Sequence, residues 1–241
     1  MNSRRLDAIK TFLQTQPYCK MEELAQRFDV SLATIHRDVI ELVKNHQVQK
    51  VHGGVVSLLV PQPETSTNAN GGHFLQRMEM KREAKMEIAE TAEKEIENGD
   101  IVFVDSSTTG MFLARRLQES RLTNLSLITN SVLVAQEFHR FPPYFVLVCI
   151  GGNYNANLNS FLGRLALENL RHLQINKAFI SCAGIAGGRL TTYYEDHATF
   201  LKGVMQIAKQ TFLLIDKTKY DKTGLYDICG VDEVTKVLSE A

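Results

Sequence analysis

Residues 21–55 read MEELAQRFDVSLATIHRDVIELVKNHQVQKVHGGV, and this stretch decides the fold of the first quarter of the chain. Leu24, Ala25 and Phe28 share one side of a short helix whose other side carries Glu22, Glu23 and Arg27. Asp29 breaks that helix and starts a turn. Ser31 then offers its hydroxyl to an unpaired amide at the start of a second helix. Along this helix Ile35, Val39 and Leu42 recur at spacings of four and three, forming one apolar stripe, and Thr34, His36, Arg37 and Glu41 lie opposite. Residues 4–14, with Leu6, Ile9 and Leu13 inward, supply a supporting first helix. After the second helix, Val48 and Val51 flank Gln49 and Lys50 as in a strand, and Gly53-Gly54 supplies a tight turn that a side chain would obstruct. Helix, turn, helix and a two-stranded wing is the arrangement that lays one helix in the major groove of DNA. Small helical protein-interaction modules share the shape. Charge separates the two weakly, since residues 1–56 hold 8 Lys+Arg against 6 Asp+Glu. Helix order and wing favour duplex DNA, with Ser31, Thr34, His36 and Arg37 on the recognition helix and Lys50, His52 and Gly53 on the wing as contacts.

The rest of the composition narrows the classes. A chain of 241 residues accommodates one large domain, or a small domain plus a medium one. Lys+Arg and Asp+Glu balance at 27 each, so the whole molecule is not a polycationic coat for nucleic acid. No apolar run approaches the length of a membrane span, and the N-terminus carries no apolar signal segment, which points to the cytoplasm. Cys19, Cys149, Cys182 and Cys229 are scattered and form no CxxC pair, so neither a zinc site nor a disulfide framework is expected; three read as buried thiols. No cofactor is implied.

Residues 61–72, PQPETSTNANGG, lack periodicity and are rich in Pro, Gly and small polar residues. This reading gives a DNA-binding domain over 1–57, a linker over 58–73 and a larger domain over 74–241. In the larger domain Ala84, Ile88, Ala89, Ala92 and Ile96 line a helix that Asn98-Gly99 stops. Apolar runs at 101–104, 125–129, 145–150, 178–182 and 211–215 read as strands, with helices over 111–117, 132–138 and 194–210 between them. Such alternation implies a mostly parallel sheet covered by helices, with ligands bound outside the carboxyl ends of the strands. The fold class is therefore α/β, behind a winged helix-turn-helix.

Polar clusters fall at those ends. Asp105-Ser106-Ser107-Thr108-Thr109 follows the first strand and opens a helix, a natural phosphate cradle. Thr129-Asn130-Ser131, Gly151-Gly152, Ala183-Gly184-Ile185 and Asp216-Lys-Thr-Lys219 follow the other four. Asp105 and Glu195 are suited to accept sugar hydroxyls, and Lys219 to neutralise a phosphate. Taken singly, a Ser or Thr at a helix start is ordinarily a cap, Gly-Gly a turn and Asp-Lys a solvated pair. Five clusters at five strand ends together point to a ligand.

At the level of motifs the chain resembles the DeoR family of bacterial sugar-metabolism regulators over nearly its whole length. The signature of the recognition helix and wing is present as Ser31, Thr34, Ile35, His36-Arg37-Asp38 and Val51-His52-Gly53-Gly54, with His36 where the family usually has arginine. In the larger domain the family's loop matches Asp105 to Thr109, with Ser107 in place of glycine. Thr129-Asn130, Gly151-Gly152, Ser160 to Gly163, Glu195 and Asp216 to Lys219 match further motifs, and Asn176 replaces a usual aspartate. The resemblance implies a sensor domain similar to ribose-5-phosphate isomerase and CoA-transferase folds, and a phosphorylated sugar as effector. Together with the strand-end clusters, which contribute Gly184, it makes Asp105, Ser106, Ser107, Thr108, Thr109, Thr129, Asn130, Gly151, Gly152, Gly184, Glu195 and Lys219 the candidate effector-binding residues.

Two functions from different classes follow. The favoured one is a transcriptional repressor of a sugar-utilisation operon, a homodimer or homotetramer on operator DNA whose affinity a sugar phosphate changes. The rival is a sugar-phosphate isomerase fused to a DNA-binding module, with Asp105, Glu195 and Lys219 as acid, base and oxyanion partner. A binding pocket needs the same polar groups without their catalytic placement, so the chain is expected not to be an enzyme. A pure interaction scaffold fits the pocket residues poorly.

Overall fold

A computed structural model describes residues 2–15, 18–44, 48–51, 54–57 and 74–241. The chain divides into two compact units, residues 1–69 and 70–241. The expected linker, 58–73, lies outside the described residues, as do His52 and Gly53.

In the first unit α1 (Asn2–Thr15), β1 (Tyr18–Lys20), α2 (Met21–Arg27) and α3 (Leu32–Lys44) precede β2 (Val48–Val51) and β3 (Gly54–Ser57). The strands form one antiparallel sheet in the order β1-β3-β2, so the wing has a third strand, β1, that the sequence reading missed. Leu6, Ile9, Leu13, Leu24, Ile35, Val39, Leu42, Val48 and Val55 close a single core; all but Val55 are positions the periodicity selects, whereas Ala25 and Phe28, expected on the inner face of α2, are only partly buried against it. Asp29 takes φ +47° at the break between α2 and α3, a conformation that short polar residues tolerate. The Thr34 amide donates to Ser31 Oγ (3.3 Å), the expected cap. Beneath α3 the buried Asp38 carboxylate accepts two bonds from the Arg5 guanidinium, at 2.6 and 3.1 Å, tying α1 to the recognition helix.

The second unit begins with α4 (Phe74–Glu79) and α5 (Arg82–Glu93). Then come β4 (Ile101–Val104), α6 (Thr108–Gln118), β5 (Ser126–Thr129), α7 (Val132–Glu137), β6 (Val146–Cys149), β7 (Asn153–Asn155), β8 (Ser160–Leu162) and α8 (Arg164–Leu170). The chain closes with β9 (Ile175–Ile180), β10 (Gly184–Ala186), β11 (Arg189–Thr192), α9 (Glu195–Ile207), β12 (Ala208–Leu214), β13 (Tyr226–Gly230) and β14 (Lys236–Leu238). Six strands form one sheet in the order β14-β12-β9-β4-β5-β6, every neighbouring pair parallel. Side chains alternate across it, as the pleat requires. Val102, Val104, Leu127, Phe179 and Phe212 pack under α5 and α6, and Phe103, Ile128, Ala178, Ile180 and Leu213 pack under α8 and α9. A three-stranded sheet β10-β11-β13 and a β7-β8 hairpin sit at the strand ends. Cys19, Cys182 and Cys229 are buried, and Cys149 is exposed on the edge strand β6.

Three expectations need correction. The helix expected to run to Asn98-Gly99 stops at Glu93; Ile96 still reaches the core, but through a turn in which its amide bonds the Glu93 carbonyl. The buried stripe of that helix is Lys85, Ile88, Ala89 and Ala92, with Lys85 rather than Ala84 at its head. The helix expected over 194–210 ends at Ile207, because Ala208 already pairs with Ile175 as a strand.

Candidate functional site

The five polar clusters come together because their strands are neighbours. β12, β9, β4, β5 and β6 lie side by side and parallel, so the turns after Leu214, Ile180, Val104, Thr129 and Cys149 leave the same edge of the sheet. Asp105 sits at the centre. It is 1% exposed, its Oδ1 accepts the Ser107 amide (3.0 Å) and its Oδ2 accepts the Ser181 amide (2.7 Å), which locks the β4 turn to the β9 turn. Burial pushes its carboxyl above the usual carboxylate range, and the bonds from Ser107 and Ser181 and the charge of Lys219 oppose that shift.

Ser107 caps α6, its Oγ accepting the Gly110 amide at 2.9 Å. Its φ of −69° shows why a serine serves where the family usually has glycine. Gly110 itself is required. A Cβ there would lie 2.6 Å from Asp105 Oδ1 and 2.8 Å from the Asp105 carbonyl oxygen. Ser106, Thr108 and Thr109 are buried beside it.

Thr129 is fully buried and its hydroxyl is consumed locally, donating to the Val104 carbonyl (2.7 Å) and accepting the Ser131 amide (3.0 Å). Asn130 Nδ2 donates to Ser160 Oγ (2.7 Å) and the Phe161 carbonyl (3.2 Å), fixing the amide with its oxygen turned the other way. Among the described residues, Asn130 Oδ1 and Thr109 Oγ1 are buried side-chain atoms without a hydrogen-bond partner. Such atoms are costly unless something bonds them.

Lys219, in a single helical turn over Lys217–Lys219, sends its Nζ back to the Cys182 carbonyl (2.9 Å) and Ser181 Oγ (3.3 Å). Asp216 caps that turn, accepting the Thr218 amide at 3.1 Å and the Thr218 hydroxyl. Gly151 and Gly152 follow β6 half-buried, and a Cβ on Gly152 would strike the Leu162 carbonyl at 2.5 Å. Gly184 belongs to β10, packed so closely on the Lys222 backbone that a Cβ would lie 2.2 Å from its carbonyl oxygen. Glu195 opens α9 but is exposed, whereas His197, two residues on, is buried with Nδ1 3.0 Å from Thr192 Oγ1. Asn176 has a scaffolding place: its Oδ1 accepts the Ile101 amide at 2.7 Å and aligns the start of β4.

Three residues that the sequence reading missed complete the site. Burial lowers the His197 imidazole to about 4, with the charges of Arg77 and Lys219 adding to the shift. Lys85 is only 4% exposed, and burial, then the charge of Lys219, lowers its ammonium to about 8. Arg77, on α4, donates to the Asn157 carbonyl (2.7 Å) and feels the charges of Tyr194 and Asp105. Arg77, Lys85 and Lys219 therefore bring three cations to one edge of the sheet. The spacing of Lys85 to Ile88, Ala89 and Ala92 held the signal for one of them, an ammonium at the head of a buried stripe.

On the first unit, Ser31 and Arg37 are exposed, Thr34 and His36 half-buried, and Lys50 exposed on β2. Thr34 Oγ1 lies 2.9 Å from Ser31 Oγ, so these two hydroxyls serve the helix start.

Residues 5–59 match the model of the DeoR-like helix-turn-helix domain, and residues 80–241 match that of the DeoR C terminal sensor domain. The chain belongs to the DeoR family. It is a DNA-binding transcriptional regulator, as the helix order of the first unit led us to expect. Relatives align over most of their lengths. The HTH-type transcriptional regulator YulB of Bacillus subtilis is 28% identical over 99% of this chain and 89% of its own. The L-fucose operon activator of Haemophilus influenzae is 27% identical over 98% and 91%. The lactose phosphotransferase system repressor of Lactococcus lactis is 26% identical over 91% and 83%. Among solved structures, ribose 5-phosphate isomerase A from Methanocaldococcus jannaschii is similar at TM-score 0.41 and 18% identity, over 58% of this chain and 54% of that one. eIF2B delta from Chaetomium thermophilum is similar at 0.47 and 15%, over 68% and 57%. The chain thus spans little more than half the length of these solved structures.

Proposed function

We propose that the chain represses a sugar-utilisation operon and that a phosphorylated sugar, bound at the carboxyl edge of the six-stranded sheet, changes its affinity for operator DNA. One observation carries this reading: two unpartnered buried oxygens, Asn130 Oδ1 and Thr109 Oγ1, stand in a site to which Arg77, Lys85 and Lys219 bring positive charge. Cations suit a phosphate, and acceptors such as Asn130 Oδ1 suit sugar hydroxyls. Asp105, Ser106, Ser107, Thr108, Thr109, Thr129, Asn130, Gly151, Gly152, Gly184 and Lys219 would form or frame the pocket, with Glu195 at its rim. Ser31, Thr34, His36 and Arg37, with Lys50, His52 and Gly53, would contact the operator.

Binding rather than turnover is the better reading. Both oxygens of Asp105 are engaged by backbone amides, and Glu195 is exposed, so the acid and base of an isomerase are poorly supplied. We place the DNA-binding domain at 1–57, the linker at 58–73 and the sensor at 74–241, in a cytoplasmic dimer or tetramer, since one helix-turn-helix gives too little contact for operator specificity. The effector must favour one DNA-binding state over the other, because equal affinity for both shifts nothing.

Thermal stability against a panel of sugar phosphates, each beside its unphosphorylated parent, tests the reading. A ligand at a hundred times its dissociation constant adds about 2.7 kcal/mol. A shift confined to a phosphorylated compound is the expected result; turnover of a sugar phosphate that vanishes in Glu195→Gln would establish the isomerase instead.

A further inference from the structure

Helix α4 is the first described element after residues 58–73, and it is pinned to the sensor by side chains from the strand-end site. Lys85 Nζ donates to the Arg77 carbonyl and, at 2.5 Å, to the Met80 carbonyl, capping the carboxyl end of α4. Arg77 reaches from α4 to the Asn157 carbonyl in the turn between β7 and β8. Two residues on, Asn159 Nδ2 meets Ser131 Oγ, so this turn packs against the loop carrying Asn130. Only Phe74 and Met78 of α4 are buried, which makes it a lightly anchored element. Lys85 and Lys219 spend their charge on neutral oxygens, and Asp105 and Asp216 are already engaged by amides and a hydroxyl. An ammonium has three donors, and α4 uses two of those on Lys85.

We infer that Lys85 couples the pocket to α4: the ammonium that holds the end of α4 also binds the anionic group of the effector, so occupancy fixes α4, the first described element after residues 58–73. This rests on the strand-end pocket proposed above. Lys85 Nζ bonds the Arg77 carbonyl, and Arg77 bonds the Asn157 carbonyl at the strand ends, so an anion drawn to this edge meets these cations together; it would offset the repulsion from Lys219 that adds to burial in lowering the Lys85 ammonium. Lys85 is thus a positioning residue for α4 as well as a ligand-facing charge.

Hydrogen exchange on the full chain tests this, with inorganic phosphate as probe against chloride at equal ionic strength. At a hundred times the dissociation constant, amides whose opening releases the anion exchange about a hundredfold more slowly. We expect that slowing in residues 74–80 as well as in residues 105–111 and 216–219. With phosphate raised to a hundred times each variant's own, weaker dissociation constant, Lys85→Met should show the slowing at the strand ends and lose it in 74–80, and Lys85→Arg should restore it. Slowing at the strand ends with none in 74–80, or its full retention in Lys85→Met, overturns the coupling and leaves the pocket standing. No slowing anywhere overturns the pocket, and the coupling falls with it.

Discussion

Replacing Gly110 with alanine would place a methyl carbon 2.6 Å from Asp105 Oδ1, 2.8 Å from the Asp105 carbonyl oxygen and 3.2 Å from Ser107 Oγ. Two effects compete. Alanine is the better helix former by about 0.5–1 kcal/mol. Against this, the Asp105 backbone is held to β9 by its amide bond to the Phe179 carbonyl, so relief comes from the carboxylate, which then gives up its bonds to the Ser107 and Ser181 amides. Bonds to a charged acceptor contribute about 1.5–3 kcal/mol each. The loss wins, and we expect net destabilisation of about 2–5 kcal/mol, which for a unit of this size lowers the melting temperature by roughly 5–15 °C. Gly203→Ala is the matched control on α9, where the nearest contact, at 2.9 Å, is the end of the Leu167 side chain, which can swing aside. Calorimetry of the two variants checks the difference. A Gly110→Ala protein that melts with or above the wild type would refute the view that the Asp105 carboxylate is the fixed centre of the strand-end turns.

Protonation of His197 supplies a second measurement. Its folded value of about 4 lies below its ordinary 6.5, so the unfolded chain takes the proton first. Stability is therefore lost as pH falls from 6.5 to 4, by roughly 3 kcal/mol. Denaturant titrations at the two ends of that window should show a smaller loss in His197→Gln than in the wild type; equal losses would remove His197 from the account. Arg37→Ala should weaken operator binding by about 1–3 kcal/mol with the fold intact, and unchanged affinity in a gel-shift titration would misplace the recognition helix. Lys219→Ala should abolish the response to sugar phosphate and spare DNA binding, as read by the same titration with and without ligand.

Much of this was legible in the chain. β4 and the apolar cores of β5, β9 and β12 (127–128, 178–180 and 212–214) are short uninterrupted apolar runs because both faces of a parallel sheet are covered, and such runs stand out from their surroundings. The apolar stripe on α3 and the cap at Ser31 were equally plain. The short strands were not: β1, β7, β8, β10 and β14 span three residues each, too few to show a period. The carboxyl edge was readable from Asp105, Asn130 and Lys219, which stand at strand ends. Arg77, Lys85 and His197 were not read, because each lies inside a helix whose apolar residues draw the eye and whose inward direction depends on tertiary packing. The end of α9 was overrun because Ala208-Lys209-Gln210 suits a helix, and pairing with β9 decides otherwise.

The strand order β14-β12-β9-β4-β5-β6 also sets a calendar for synthesis. The central strand is made first, the sheet then grows outward through β5 and β6, and only afterwards does the chain return to fill the other side with β9, β12 and β14. A ribosome releases the N-terminal unit long before Lys219 emerges, and domains generally fold as units in that order. A nascent regulator therefore acquires its DNA-reading surface while half of its sensing edge is still unmade. Truncation near the 3′ end of the message, which removes β12 and β14, would leave a chain able to fold its recognition helix and deaf to any metabolite.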